Sequence, residues 1–241
     1  MIEQGISKIQ ELVEGAMKVQ EFMVNGRRYT DRSVVEQRDP LDKAETVGTL
    51  TGFSDLVKVA LNGQREPQNF IHVLNPNEVC FAAVLCDEWG QRQIDIHAKL
   101  PAFGRFAFGE YMDQERFIIG LQAFFQPTKD IAYLQQIAGT LKAEQVNISD
   151  DDGTSQRVAM RSGVVLAETV TVKKLVTLRP WRTFREIEQP ASTFIFRLKN
   201  VKDAAPLLSL HVADGEVWQI EAMQSIKTLL AARHPGVAVV A

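Results

Sequence analysis

The stretch NFIHVLNPNEVCFAAVLC (residues 69–86) decides the fold prediction, because it holds two apolar runs separated by a turn. Asn75-Pro76-Asn77 is a typical turn sequence. A third run at 93–100 follows a second turn at 88–91, so the three runs predict an antiparallel β-meander. The middle run, 79–86, is almost entirely apolar, which predicts a central strand covered on both faces.

Helical patterns flank this meander. Apolar residues recur every three or four positions from Ile2 to Met17, and again after Thr49, a typical N-cap residue. Asp113 and Thr128 are expected to begin two further helices, and residues 216–233 a last one. The sequence therefore predicts an α+β fold of antiparallel β-meander sheets with packed helices, a helical N-terminus and a helix near the C-terminus.

The chain is predicted to have two closely packed halves. Residues 1–127 form an α+β N-terminal half with a helix, a hairpin at Asn25-Gly26, a helix, the three-stranded meander and a helix. Residues 128–241 form a β-rich C-terminal half with a closing helix, or the two halves make one continuous domain. Further strands are expected at 103–109 (bent, with Arg105 exposed), 143–149, 155–160, 164–172, 175–178, 183–187 and 193–198, and from the apolar tail at 236–241.

The composition excludes several classes of protein. The 241 residues are 45% hydrophobic and 24% charged, with a net charge of −3, as in soluble globular proteins and unlike strongly basic nucleic-acid binders. Cys80 and Cys86 are expected to be buried free thiols. No signal-peptide pattern and no apolar run of about 18 residues is found, so we expect a cytoplasmic protein without a membrane partner.

The sequence offers weak candidates for chemistry. The acidic run at 150–153 lacks the ligand spacing of a calcium loop and is typical of a hairpin turn. His72 and His97 lie on neighbouring strands of the predicted meander, without a carboxylate or cysteine at a useful spacing. We therefore assign no catalytic residue, no metal ligand and no cofactor.

The most distinctive stretch is basic. Residues 173–199 hold seven basic residues and two acidic ones in a chain of net charge −3. Basic residues interleaved with aromatic rings suit an anionic partner with a stackable ring, such as a nucleotide or a single strand. The alternative interpretation is a strand with exposed, ion-paired arginines and buried aromatic residues. The candidate ligand-binding residues are Arg179, Trp181, Arg182, Phe184 and Arg185.

Three segments carry a resemblance to a known family. The segments DDGTSQ (151–156), LRPWRTFREIEQPASTFIFR (178–197) and ADGEVW (213–218) resemble the YfdQ-like family of bacteriophage and prophage proteins of unknown function. The resemblance extends over residues 45–241 and transfers no functional residue. It implies a phage-encoded protein that acts in the host bacterial cytoplasm.

Two classes of function follow as hypotheses. The first is a non-enzymatic, phage-encoded binding protein that sequesters an anionic nucleotide-type ligand of host defence. Its close alternative is a single-stranded nucleic-acid binding protein in phage replication or recombination. The second class is a homo-oligomeric structural or assembly protein that self-associates through the helix at residues 2–17. Catalysis is less favoured, because no residue pattern indicates a reaction.

Overall fold

The computed structural model describes residues 2–17, 19–31, 41–62, 69–87, 90–140, 146–151, 155–162, 165–201 and 204–241, with backbone alone at 146–171. The helices are α1 (Ile2–Met17), α2 (Leu50–Leu61), α3 (Gln114–Phe124), α4 (Lys129–Thr140) and α5 (Trp218–Arg233). The strands are β1 (Glu21–Val24), β2 (Arg27–Thr30), β3 (Glu45–Val47), β4 (Asn69–Asn75), β5 (Glu78–Ala83), β6 (Ile94–Lys99), β7 (Val146–Asp151), β8 (Ser155–Ser162), β9 (Val165–Lys173), β10 (Leu175–Leu178), β11 (Ser192–Val201), β12 (Ala204–Val212) and β13 (Val239–Val240).

The chain divides into two compact units, residues 1–42 and 43–241. In the first unit, β1 and β2 pair as an antiparallel hairpin. Its turn residues Asn25 and Gly26 both have positive φ, 51° and 80°, which is the conformation that an Asn-Gly hairpin turn requires. The prediction of this hairpin is confirmed.

The second unit contains a five-stranded sheet in the order β13-β4-β5-β6-β3. Strands β4, β5 and β6 form the predicted antiparallel meander, while β13 and β3 add parallel edges. The central strand β5 has four consecutive buried residues, 79–82, so its prediction as a strand covered on both faces is confirmed. The strand ends at Ala83, however, and the prediction that both thiols are buried is wrong for the exposed Cys86.

Helices α2 and α5 contribute to the core on one face of this sheet. Thr49 caps α2 as predicted, since its Oγ1 accepts a hydrogen bond from the Gly52 N–H at 3.1 Å. The core contains buried apolar residues from helices, sheet and the segment after β10: Leu50, Phe53, Val57, Ile71, Val73, Val79, Phe81, Ile96, Ala98, Phe184, Ile187, Ala222, Ile226 and Leu230.

The second core lies around the antiparallel sheet β10-β11-β12 and the helix pair α3 and α4. Asp113 caps α3 through its Oδ1, and Thr128 accepts a hydrogen bond from the Ile131 N–H, as the sequence predicts. Strands β7, β8 and β9 form a separate antiparallel sheet. The prediction of an α+β fold is confirmed.

Buried residues from both sides of residue 127 share the same cores. Phe125 and Leu134 lie in the same core, on either side of that position. Phe53 likewise shares a core with Phe184 and Ile226. Residues 43–241 therefore form one compact unit, and the observed division lies between residues 42 and 43.

A buried histidine joins α2 to the end of α5. The Ser54 hydroxyl and His234 Nε2 are 2.7 Å apart, and the two residues are 1% and 4% exposed. Burial, and then the positive charges of Lys58 and Arg233, lower the pKa of His234, while Asp55 opposes the change. The folded protein therefore favours the neutral imidazole.

Acid is expected to destabilise the fold through His234. Because the folded pKa lies below the unfolded value of 6.5, the unfolded chain binds the proton more readily, and stability falls as the pH drops through 6.5. Urea denaturation at pH 7.5 and pH 5.5 measures this loss. The His234→Gln variant should lose less stability between the two pH values than the wild type; equal losses would show that His234 is not involved.

Candidate functional site

A pocket with a volume of about 410 Å³ lies in the 43–241 unit, and two of the candidate ligand-binding residues, Trp181 and Arg182, line it. Four segments line it: the β4–β5 turn, the loop before α3 with the end of α3, the irregular segment after β10, and the segment from the end of β12 to the start of α5. The lining residues are Asn75, Pro76, Asn77, Arg105, Phe106, Phe108, Phe124, Pro180, Trp181, Arg182, Val212, Glu216, Trp218 and Gln219.

The segment after β10 is irregular, so the predicted strand at 183–187 is wrong. Its shape is held by Gln189, which is completely buried. The Gln189 Oε1 accepts hydrogen bonds from the N–H groups of Arg182 at 3.0 Å and Thr183 at 3.3 Å, and its Nε2 donates to the Phe184 carbonyl at 3.0 Å. A satisfied buried amide of this kind fixes a loop in one conformation.

Two further contacts tie this segment to neighbouring elements. The Trp181 N–H donates to the Phe124 carbonyl at 2.8 Å, and the Thr183 hydroxyl donates to the Pro76 carbonyl. The backbone of residues 181–183 is thereby attached to both the end of α3 and the β4–β5 turn. These attachments place the side chains of Trp181 and Arg182 at the pocket.

Arg182 is the central cation of the pocket. Its guanidinium carbon lies 4.2 Å from the centre of the Trp218 ring, and its Nη2 donates to the Ser192 hydroxyl at 2.5 Å and to the Pro190 carbonyl at 3.4 Å. Its Nε is buried without a hydrogen-bond partner among the described residues. Arg182 also forms no ion pair with any residue that the structure describes.

Burial disfavours the charged form of Arg182. It lowers the pKa of Arg182 to about 10, an effect that the negative charges of Asp214, Glu216 and Glu221 partly offset. A desolvated cation with neither an ion-pair partner nor a partner for Nε would gain from an anion placed beside it.

The other three predicted residues do not line the pocket. Arg179 is ion-paired with Glu188 and also donates to the Gln189 carbonyl at 3.3 Å. Arg185 is exposed, with its guanidinium carbon 5.0 Å from the centre of the Trp181 ring. Phe184 is 0% exposed in the core beside α2 and α5, so its ring is not accessible to a ligand.

Arg105 lines the pocket but was not proposed as a ligand residue. It is exposed, as expected, although residues 103–109 form no strand. Among the described residues it has no hydrogen-bond or ion-pair partner. Its neighbour Phe106 is fixed in the core by a close approach to Gly120, where a β-carbon would lie 2.8 Å from the Phe106 ring. The packing of Phe106 therefore holds the backbone next to Arg105 in place.

Glu216 is the acidic residue of the lining. Its Oε2 accepts a hydrogen bond from Gln219 Nε2 at 2.8 Å. No pattern in the sequence separates this residue from other acidic residues near a helix start, which is why it was missed.

The prediction that His72 and His97 lie on neighbouring strands is wrong. His72 and His97 lie in register on either side of Cys80, so β5 separates the strands that carry them. In the part of the chain that is described, no group of three His, Cys, Asp or Glu residues is arranged to hold a metal ion. Residues 152–154 of the predicted acidic turn lie outside the described residues.

None of the helices in the described ranges is both long and apolar enough to cross a membrane. No protein-family model, curated protein or solved structure matches this chain, so the candidate site rests on the chain's own geometry.

Proposed function

We propose that this chain is a non-enzymatic binding protein whose pocket holds a small anionic ligand with a flat ring, of nucleotide type. The observation that carries the proposal is Arg182, a partly buried cation that lies against Trp218 in the pocket without an ion-pair partner among the described residues. Trp181, the other candidate residue in the lining, supplies a second aromatic surface.

The lining suits such a ligand in charge, shape and size. The described lining residues carry two positive charges, on Arg105 and Arg182, and one negative charge, on Glu216, so their net charge is positive. A volume of about 410 Å³ is within the range of small-molecule pockets, which is roughly 300–1,000 Å³. A pocket of this volume favours a small ligand over a single strand, which needs aromatic residues spread along a groove.

Binding is favoured over catalysis by the same set of residues. Among the described residues of the lining, the titratable groups are two arginines and one glutamate, with no histidine, cysteine, serine or threonine to act as a nucleophile or second acid–base group. In the phage context that the YfdQ-like resemblance implies, the protein would withhold a nucleotide-type ligand of host defence in the bacterial cytoplasm.

A thermal-shift screen with nucleoside monophosphates and inorganic phosphate tests the proposal. At a ligand concentration of about 100 times Kd, binding adds about 2.7 kcal/mol to stability, so the unfolding temperature should rise by several degrees. A nucleotide should stabilise more than phosphate, because it also stacks on the aromatic residues. No shift with any nucleotide would contradict the proposal, and stabilisation by oligonucleotides alone would favour the single-strand alternative.

A second candidate, a self-associating assembly protein, is favoured by α1. The side chains of Ile6, Ile9, Leu12 and Val13 are between 45% and 64% exposed. The spacing of residues 6, 9 and 13 is that of the apolar positions of a coiled coil. A 16-residue helix that contains two glycines is marginal alone in water, so packing against a second copy would stabilise it.

The Ile9→Asp variant is expected to dissociate such an assembly, because it places a charge within the apolar stripe. Light scattering of the full chain measures the mass of the particle, which should fall to that of one chain. Gln10→Asp places the same side chain one residue further on, outside the stripe, and should leave the mass unchanged. An unchanged mass for Ile9→Asp would remove α1 from any self-association.

A further inference from the structure

Glu216 has an unusual backbone conformation at the edge of the pocket. Its φ is +64°, in the left-handed region that a residue with a β-carbon adopts only at a cost. The preceding Gly215 also has positive φ, and the Glu216 N–H donates to the Asp214 side chain at 3.1 Å. This turn directs a carboxylate to the pocket lining at the start of α5. Strained residues of this kind cluster at ligand sites.

The Glu216 carboxylate retains capacity to accept hydrogen bonds. Its Oε2 accepts from Gln219, whereas its Oε1 accepts no hydrogen bond from a described residue. Its charge acts on Arg182, yet the two side chains form no ion pair. The exposed Glu216 carboxylate can therefore accept hydrogen bonds from a ligand in the pocket, because it is not held in an ion pair with Arg182.

Arg182, which lines the same pocket, also keeps a donor without a partner among the described residues. Its Nη2 is engaged by Ser192 and Pro190, but its Nη1 makes no hydrogen bond to any residue in the described ranges. Among the nucleobases, guanine carries on one edge an acceptor, O6, next to two donors, the N1–H and the 2-amino group. Arginine is the usual donor to guanine O6, and a carboxylate can accept from two adjacent N–H groups at once.

We infer that the pocket prefers a guanine nucleotide, with Glu216 accepting from N1–H and the 2-amino group, Arg182 donating to O6, and Arg105 holding the phosphate. The inference rests on the proposed function, since it assigns the ligand of the same pocket. Arg105 suits the phosphate because it is exposed and has no partner among the described residues. Adenine would direct its N1 acceptor at the carboxylate, and hypoxanthine lacks the 2-amino group.

Titration calorimetry of the full chain with GMP, IMP and AMP tests the preference. GMP is expected to bind at least about tenfold more tightly than IMP, and IMP more tightly than AMP, because each step leaves the carboxylate with fewer donors. Equal affinities for the three nucleotides would overturn this inference and leave the proposed function standing. No binding of any of the three would also overturn this inference, whereas the proposed function fails only if CMP and UMP do not bind either.

Two variants that each remove one negative charge distinguish recognition of the guanine base from a general effect of charge on binding. Glu216→Gln keeps the side-chain shape and backbone conformation, and should reduce the preference for GMP over IMP to about twofold or less. Glu221→Gln removes an equal charge that also acts on Arg182 but lies outside the pocket lining, and should keep the preference. A GMP preference that survives Glu216→Gln, or that falls equally in both variants, would overturn the role of Glu216.

Discussion

Replacement of Phe184 with alanine is expected to lower the free energy of unfolding by about 3–5 kcal/mol. The ring is 0% exposed and packs in a core with residues of the five-stranded sheet, α2 and α5, so its removal leaves a cavity that the rigid surroundings fill only in part. Urea denaturation followed by circular dichroism measures the change from the midpoint and slope of the transition.

Two variants separate this packing role from ligand binding. Phe184→Leu keeps an apolar side chain at the site, should cost less stability than alanine, and should bind a nucleotide like the wild type. Trp181→Ala removes a half-buried ring that lines the pocket, and should weaken binding with a smaller loss of stability. A Phe184→Ala variant that is as stable as the wild type but no longer binds ligand would reverse these assignments.

The second large effect is expected at Arg182, where replacement with methionine should weaken nucleotide binding at least about 100-fold. Methionine keeps an unbranched chain against Trp218 but removes both the positive charge and the hydrogen-bond donors. The free energy of unfolding should change by about 1 kcal/mol or less, because losing the Ser192 contact is offset by no longer burying a charge. Calorimetry and urea denaturation give the two quantities separately.

Arg185→Met is the matched control for this prediction. Arg185 lies three residues further along the same segment and contacts the Trp181 ring, but it is exposed and outside the pocket lining. Its replacement should alter affinity by about threefold or less, as expected for an exposed charge. An equal loss in both variants would mean that a basic surface, rather than the pocket, attracts the ligand.

The helices and the meander could be predicted because local chemistry determines them. Thr49 and Asp113 accept the first N–H hydrogen bonds of their helices, and the Asn-Gly pair forms its hairpin turn. Strand β12 was not predicted, and it contains Pro206, which is tolerated because β12 is the edge strand of its sheet. The local sequence pattern does not show whether a strand lies at the edge or in the middle of its sheet.

The candidate site was harder to predict, because it depends on contacts between distant segments. Basic and aromatic side chains are interleaved at residues 179–185, and a strand is predicted at 183–187, yet the buried amide of Gln189 holds this segment in an irregular loop. The two-residue repeat of side chains along a β-strand could not show that Phe184 lies in the core while Arg182 lines the pocket. Arg105 lies 74 residues before this segment and Glu216 lies 31 residues after it, yet both line the same pocket.

The most direct test of the central claim is a tryptophan fluorescence titration of the full chain with GMP, AMP, CMP and UMP. Two of the three tryptophans, Trp181 and Trp218, line the pocket, and a Trp89→Phe background leaves only their signal. We predict a saturable change at one nucleotide per chain for at least one of the four, abolished by Arg182→Met. No saturable change with any of them at millimolar concentration would contradict the assignment of this pocket as a nucleotide-type binding site.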